Sequence, residues 1–238
     1  MANVDLLLTA ASGLTVELDQ LWRGYVGLEA AGRRREAMDS LKLFIAEITP
    51  LSGMQCESFA GRVAAALAAN RSAQFAVREP LFAAVIAPLL VRMWDSHDPR
   101  AARWLLAFDG SYRYSPASLA VWGDRDITPE SIIARGLEHE PDARDLHARW
   151  VSLFAADFQY AVHEVPAVVL AGNRVATIEQ CEEYLRDLAA FERRVELLGE
   201  RERWQTKVEW WRRCFAGYRS YLQQRERWED FGAYLAHH

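Results

Sequence analysis

Apolar residues recur at steps of three and four along most of this chain, which is the spacing of one face of an α-helix. The first stripe covers residues 14–28, and after Gly32 a second stripe covers residues 37–48 and stops at Pro50. Only 13 Gly and 8 Pro occur in 238 residues, so breaks between helices are few. These features predict an all-α fold, and the two stripes predict an antiparallel helical hairpin.

Four further helix starts are marked by capping residues. Asp98, Ser115 and Thr128 each stand directly before a proline, which supplies a side-chain oxygen followed by a residue that has no N–H to satisfy. Thr177 and Gln180 have the spacing of a capping box. We therefore expect a helix after each of these positions, and the last helix should be long and end near residue 199.

The C-terminal helix, from residue 201 onward, is unusually aromatic. Its apolar residues follow alternating steps of four and three, which predicts a heptad seam facing another helix: Trp204, Val208, Trp211, Phe215, Tyr218 and Leu222. A second set lies beside that seam: Trp210, Cys214, Gly217, Tyr221 and Trp228. An arc this wide predicts two burial partners, which are either both intramolecular or include the surface of another protein.

The order of these elements predicts how the chain is organised. Residues 1–165 are expected to form an array of helical hairpins, and residues 177–238 a long aromatic helical pair packed on it as one continuous domain. Between them, residues 165–176 read as an apolar loop or as a short β-hairpin, because β-branched residues surround a Gly-Asn turn. The array itself is either repeat-like or an irregular bundle.

Charge, hydropathy and cysteine usage exclude several classes of protein. The formal net charge of -5 disfavours binding to a nucleic-acid backbone. The longest apolar run, residues 81–91, is about half of the ~20 residues that a membrane span needs. The short apolar run at the N-terminus has no basic residue before it, unlike a secretory signal, and three dispersed cysteines suit a reducing compartment. We therefore expect a cytoplasmic protein without nucleic-acid or membrane partners.

Catalytic and cofactor motifs are absent from the sequence. His139 and His163 are each followed by Glu, but neither pair continues to the second His of a H-E-x-x-H zinc site, and no His stands three residues after a Glu. The sequence has no phosphate-binding loop, dinucleotide fingerprint or nucleophile elbow. We accordingly predict no metal, no cofactor and no catalytic residue, and hence a protein that is not an enzyme.

Two weaker chemical signals have structural explanations. The adjacent pair His97-Asp98 is similar to the motif of helical His-Asp phosphohydrolases, but that family needs another His upstream and none precedes His97. Asp98 has a sufficient role as a helix cap before Pro99. Cys181 and Cys214 lie within helical patterns, where a buried and inert thiol is the usual case.

Part of the first hairpin carries a repeat-like pattern. Small, apolar and closing residues stand at characteristic steps: Gly32, Ala37, Leu41, Phe44 and Pro50. On these residues, positions 21–50 resemble one tetratricopeptide unit, although the Leu-Gly pair of its first helix is missing. Leu137 and Pro141 resemble the closing half of another unit. The resemblance implies stacked hairpins with a concave surface that grips a peptide or protein.

The leading functional hypothesis is a protein-interaction module that binds a cognate protein, with an inhibitor-like or immunity-like factor as one form of it. Its partner-binding residues are predicted from the aromatic helix and from the heptapeptide at residues 160–166: Trp210, Trp228, Tyr221, Arg213, His163 and Glu164. The alternative is an enzyme or small-molecule-binding protein with a pocket between helices near His163 and Glu164. A role for His163 in closing the end of its own helix also stays open.

Overall fold

The computed structural model describes residues 2–51, 53–69, 77–108, 115–164 and 177–237. Every regular element in these ranges is helical and none is a strand, which confirms the all-α fold. The loop or β-hairpin expected at 165–176 lies outside the described residues. The chain divides into two compact units, Met1–Pro141 and Asp142–His238.

The N-terminal unit contains nine α-helices among its described residues, with a π-helical turn, Phe82–Ile86, between the fifth and the sixth. In chain order they are α1 (Ala2–Thr9), α2 (Val16–Ala30), α3 (Arg34–Ile48), α4 (Gly53–Ala69), α5 (Glu79–Leu81), α6 (Ala87–Asp95), α7 (Arg100–Ala107), α8 (Pro116–Trp122) and α9 (Pro129–His139).

Helices α2 and α3 form the predicted hairpin. The Thr15 hydroxyl accepts the N–H of Leu18 at the start of α2, and Gly32 takes a left-handed φ of 72° at the turn. The core beneath the hairpin is aromatic, because the ring of Trp22 lies 5.3 Å from that of Phe44 and 4.9 Å from that of Phe59. The contact ties α4 to the hairpin. Stacking of further hairpins into a repeat stays a prediction.

The π-helical turn was not predicted, and Pro88 explains it. Proline has no N–H, and in an α-helix its ring meets the carbonyl four residues before it. In the structure the preceding N–H, that of Ala87, donates to the carbonyl of Phe82, five residues back. The wider turn accommodates the proline while the helical path continues into α6.

A helix begins after each of the four predicted positions, although α7 starts one residue later than predicted, with Pro99 rather than Asp98 at its N-cap position. Three caps accept hydrogen bonds from backbone N–H groups: Asp98 from Arg100 at 2.9 Å, Ser115 from Ser118 at 3.2 Å and Thr128 from Ser131 at 3.3 Å. At the fourth start, Thr177 accepts the N–H of Gln180, and the Gln180 side chain accepts the N–H of Thr177 in return, at 3.2 and 3.1 Å. Local capping chemistry therefore sets these boundaries.

The C-terminal unit is built from three long helices and a short one. They are α10 (Arg144–Glu164), α11 (Ile178–Leu198), α12 (Arg201–Gln223) and α13 (Phe231–His237), with a 3₁₀ turn, Arg225–Arg227, before α13. Helix α11 ends as predicted at Gly199, which is left-handed with a φ of 72°. Within the described ranges, no helix is both long and apolar enough to cross a membrane.

The heptad seam of α12 is buried against two helices. Phe158 of α10 lies at the centre, with its ring 5.6 Å from that of Phe191 on α11 and 5.3 Å from that of Trp211 on α12. The second burial partner of α12 is thus α10. For this reason the boundary between the units falls after Pro141 rather than at residue 165, and the predicted helical pair is a bundle with α10 as its third helix.

Candidate functional site

The most unusual surface residue in the C-terminal unit is Trp210. All nine tryptophans lie within the described ranges, and Trp210 alone is exposed, with 49% of its surface accessible. Its sequence neighbour Trp211 is 1% accessible and belongs to the heptad seam. Consecutive residues lie about 100° apart around a helix, so one tryptophan builds the core while the other is left on the surface.

Basic side chains flank this exposed indole. Lys207 and Arg213 stand one helical turn before and after Trp210, and both are exposed. Arg213 forms no ion pair with any residue in the described part of the chain. We call the surface formed by Lys207, Trp210 and Arg213 the Trp210 face. Glu209, the nearest acidic residue in sequence, accepts a hydrogen bond from Gln205 at 3.0 Å.

The other predicted partner-binding residues lie elsewhere in the C-terminal unit. Tyr221 is 3% accessible and belongs to the core, so the prediction that it faces a partner does not fit the structure. Trp228 is half-buried, with its ring 5.6 Å from that of Tyr234. His163 is exposed in the last turn of α10, and Glu164 is the final residue of that helix. Of the six predicted residues, Trp210 and Arg213 share one exposed surface.

An open cleft of about 690 Å³ runs between α11 and α12. Val195 and Val208 form its floor, and most of its other lining residues are charged. Arg212 pairs with Glu192 across the cleft, and Arg201 pairs with Glu196 at 3.7 Å. These charges are satisfied by one another, so the cleft presents a largely neutralised rim.

A second unusual residue, in the N-terminal unit, is His97. It is the one non-glycine residue in the described ranges with a left-handed backbone, at a φ of 58°. It closes α6, because its N–H donates to the carbonyl of Trp94 and the next N–H, that of Asp98, donates to Met93. The same closing turn follows α2 and α11, where glycine occupies the left-handed position. Histidine at this position strains the backbone.

The His97 turn faces the end of α9. The imidazole ring of His97 lies 5.6 Å from that of His139, edge to face. Arg135, one turn before His139, stacks its guanidinium on the Trp94 ring at 4.1 Å and donates from Nη2 to the Trp94 carbonyl at 2.6 Å. The same nitrogen lies 3.3 Å from Nδ1 of His97. These side chains line a small recess of about 210 Å³, which we call the His97 recess.

The carboxylates nearest the His97 recess are already paired. A hydrogen-bonded pair with Arg125, at 2.8 and 2.7 Å, lowers the pKa of Asp95 below its usual value. A similar pair with Arg100 lowers the pKa of Asp98. Both acids are therefore ionised and neutralised by their own arginines. Arg135 forms no ion pair within the described ranges, and its charge also contributes to the lowered pKa of Asp95.

Sequence reasoning did not find the His97 recess. His97-Asp98 and His139-Glu140 were each weighed as part of a metal motif, but the two imidazoles are far apart in the chain, one in the turn after α6 and one in the last turn of α9. Their proximity comes from the packing of α9 against α7 and the α6 end. The one local signal is at position 97. Glycine is the usual residue in a left-handed turn that closes a helix, and this chain has His97 there.

Metal-binding and nucleophilic groups in the described part of the chain give no further candidate site. Among the described residues, no cluster of three His, Cys, Asp or Glu side chains is arranged to hold a metal ion. Cys181 and Cys214 are buried, and burial raises the pKa of each thiol to about 11. Cys56 is half-buried, and its pKa is raised by the same effect.

Comparison with known proteins adds no relative, because no protein-family model, curated protein or solved structure matches this chain.

Proposed function

We propose that this protein binds a cognate protein through the Trp210 face. The observation that supports this proposal is the exposure of Trp210 beside two basic side chains, on a helix whose other tryptophans are buried or half-buried. Tryptophan and arginine are the residue types that most often dominate binding energy at protein interfaces. A rigid helix presents both here, so little conformational entropy is lost when they are covered.

The charge of the Trp210 face indicates what its partner looks like. Although the whole chain has a formal charge of -5, the positions one turn from Trp210 hold Lys207 and Arg213 and no acid. A complementary surface would offer an apolar pocket for the indole with carboxylates at its edge. Such a pair would be steered together by charge, and its association would slow as salt is added.

The inhibitor-like or immunity-like hypothesis is a special case of this proposal, in which covering the partner also blocks the partner's activity. In this proposal the protein is not itself an enzyme and acts in the cytoplasm, where its three free cysteines would stay reduced. The alternative, a small-molecule pocket near His163 and Glu164, stays a prediction, because residues 165–176 lie outside the described ranges. A stacked tetratricopeptide-like array would supply a second surface for the same partner.

Site-specific photo-crosslinking in the native host tests the proposal. A photoreactive phenylalanine analogue replaces Trp210 in one strain and Tyr160 in a matched control strain. Tyr160 is also an exposed aromatic residue of the C-terminal unit, with 59% of its surface accessible, but it lies on α10. We expect a discrete crosslinked protein from position 210 and none from position 160. Equal crosslinking at both positions, or none at 210, would contradict the proposal.

A further inference from the structure

The His97 recess combines a fixed guanidinium, two imidazoles and a strained backbone. We infer that it binds an oxyanionic group, a phosphate or a carboxylate of a ligand, between Arg135, His97 and His139. This site is in the N-terminal unit and is independent of the Trp210 face.

Arg135 is held in place with donors to spare. Its guanidinium lies over the Trp94 ring, with Cζ 4.1 Å from the ring centroid, and Nη2 donates to the Trp94 carbonyl at 2.6 Å. Within the described ranges Nε and Nη1 donate to no protein group. Arginine is the side chain best suited to phosphate and carboxylate oxygens, and a guanidinium that is already ordered loses less entropy when it binds them.

The imidazoles add donors that an anion would organise. Nη2 of Arg135 lies 3.3 and 3.4 Å from the two ring nitrogens of His97, and the His139 ring lies edge to face with His97. An oxyanion placed among the three groups would accept hydrogen bonds from the Arg135 guanidinium and from the N–H of each imidazole ring.

The carboxylates near the His97 recess each pair with another arginine or are exposed to solvent, so they do not take the place of the proposed oxyanion. Asp98 also lines the recess, but it is held by Arg100 at 2.6 Å, and Asp95 is held by Arg125 at 2.7 Å. Glu140, next to His139, is held by Arg103 at 2.7 Å in a two-point pair. Glu138 on α9 is exposed, where solvent screens its charge. Within the described ranges no carboxylate therefore forms an ion pair with Arg135.

The size of the recess limits the ligand. The part of the recess that a water-sized sphere can enter is about 10 Å³, enough for roughly one water molecule. An anionic group would therefore sit at the mouth of the recess, beside the exposed His97 and His139 rings, with the rest of the ligand in solvent. The left-handed His97 backbone fits this role, because strain at a non-glycine residue is most often retained where the side chain serves a function.

Calorimetric titration with inorganic phosphate and with acetate, each against a chloride reference at equal ionic strength, tests the inference. We expect wild-type protein to bind at least one of them, and Arg135→Gln to weaken that binding by about tenfold, the contribution of a charged hydrogen bond. Arg23→Gln is the matched control, since it removes an exposed guanidinium that pairs with Asp19 on α2. Tighter binding of phosphate or of acetate would show which group the natural ligand carries.

Histidine side-chain NMR of the wild type provides a readout that does not depend on a variant folding. We expect the imidazole proton signals of His97 and His139 to shift on titration, while those of His163, exposed on α10, stay in place. The inference is overturned if neither anion binds above the chloride reference. It is also overturned if Arg135→Gln binds as tightly as Arg23→Gln, or if all three histidines shift together.

Discussion

At the scale of single residues, one closing turn occurs three times in this chain with two different residues at its left-handed position. Gly32 and Gly199 have a φ of 72°, and His97 has a φ of 58°. The hydrogen bonds that close the turn are the same in each case. The sequence predicted a helix break at Gly32 and a helix end near Gly199, and glycine is the usual residue in such a closing turn. It could not predict the third, because histidine carries no comparable local preference.

Substitution of His97 measures the backbone strain at this turn. His97→Gly and His97→Ala both remove the imidazole, but only alanine keeps a Cβ on a left-handed backbone. We expect the glycine variant to be more stable than the alanine variant by about 1 kcal/mol, as measured by urea unfolding. Equal free energies of unfolding would show that the turn carries no strain.

Thiol reactivity tests the burial of the cysteines. Because the pKa of Cys181 and of Cys214 is raised to about 11, both thiols stay protonated and unreactive at pH 8 in the folded protein. The same shift stabilises the folded state below the unfolded thiol pKa, and this contribution is lost as the pH rises toward 11. With a chromogenic disulfide at pH 8 we expect Cys56 to react first and the other two only after unfolding. Rapid reaction of all three thiols would contradict the buried assignment.

At the scale of helices, the heptad spacing correctly identified which face of α12 is buried. Trp211 and Phe215 are 1% and 0% accessible, as the seam predicts. The spacing could not show which residues beside the seam are buried, because that depends on where the neighbouring helices lie. Tyr221 is covered by α13 and Trp210 is not. Both residues were predicted to bind a partner from the same pattern, and three-dimensional packing separates them.

The adjacent tryptophans of α12 therefore differ in what they contribute to stability. Trp211→Ala leaves a large cavity beside Phe158 and Phe191 and should lower the free energy of unfolding by about 4 kcal/mol. Trp210→Ala removes a side chain that is 49% accessible and should cost less than about 1 kcal/mol. Chemical denaturation followed by circular dichroism measures both values. A comparable loss in the two variants would place Trp210 in the core.

Local chemistry predicted where helices start but not how every helix is built. The caps at Ser115, Thr128 and Thr177 each act between residues three apart, so the sequence shows both partners at once. A proline within a helical stretch such as Pro88 generally kinks the helix, but its accommodation by a π-helical turn depends on the carbonyl of Phe82 accepting a more distant N–H. Several backbone adjustments can accommodate a proline in a helix, so the sequence alone does not determine which one is adopted.

At the scale of the whole molecule, the chain divides after Pro141 because α10 is the third long helix of the C-terminal bundle. The sequence placed α10 with the N-terminal array, since residues 165–176 were interpreted as the loop between the array and the C-terminal pair. Periodicity gives each helix an apolar face but does not name the helix that covers it. The two candidate sites follow this division, with the His97 recess in one unit and the Trp210 face in the other.

The affinity of the crosslinked partner for purified variants tests the central claim, that the Trp210 face binds a protein. We expect Trp210→Ala to raise the dissociation constant by roughly 30-fold, about 2 kcal/mol, with its circular dichroism spectrum unchanged. Arg213→Glu should weaken binding as well, whereas Tyr160→Ala and Arg186→Glu, exposed changes on α10 and α11, should leave it unchanged. A partner that binds Trp210→Ala as tightly as the wild type would contradict the account.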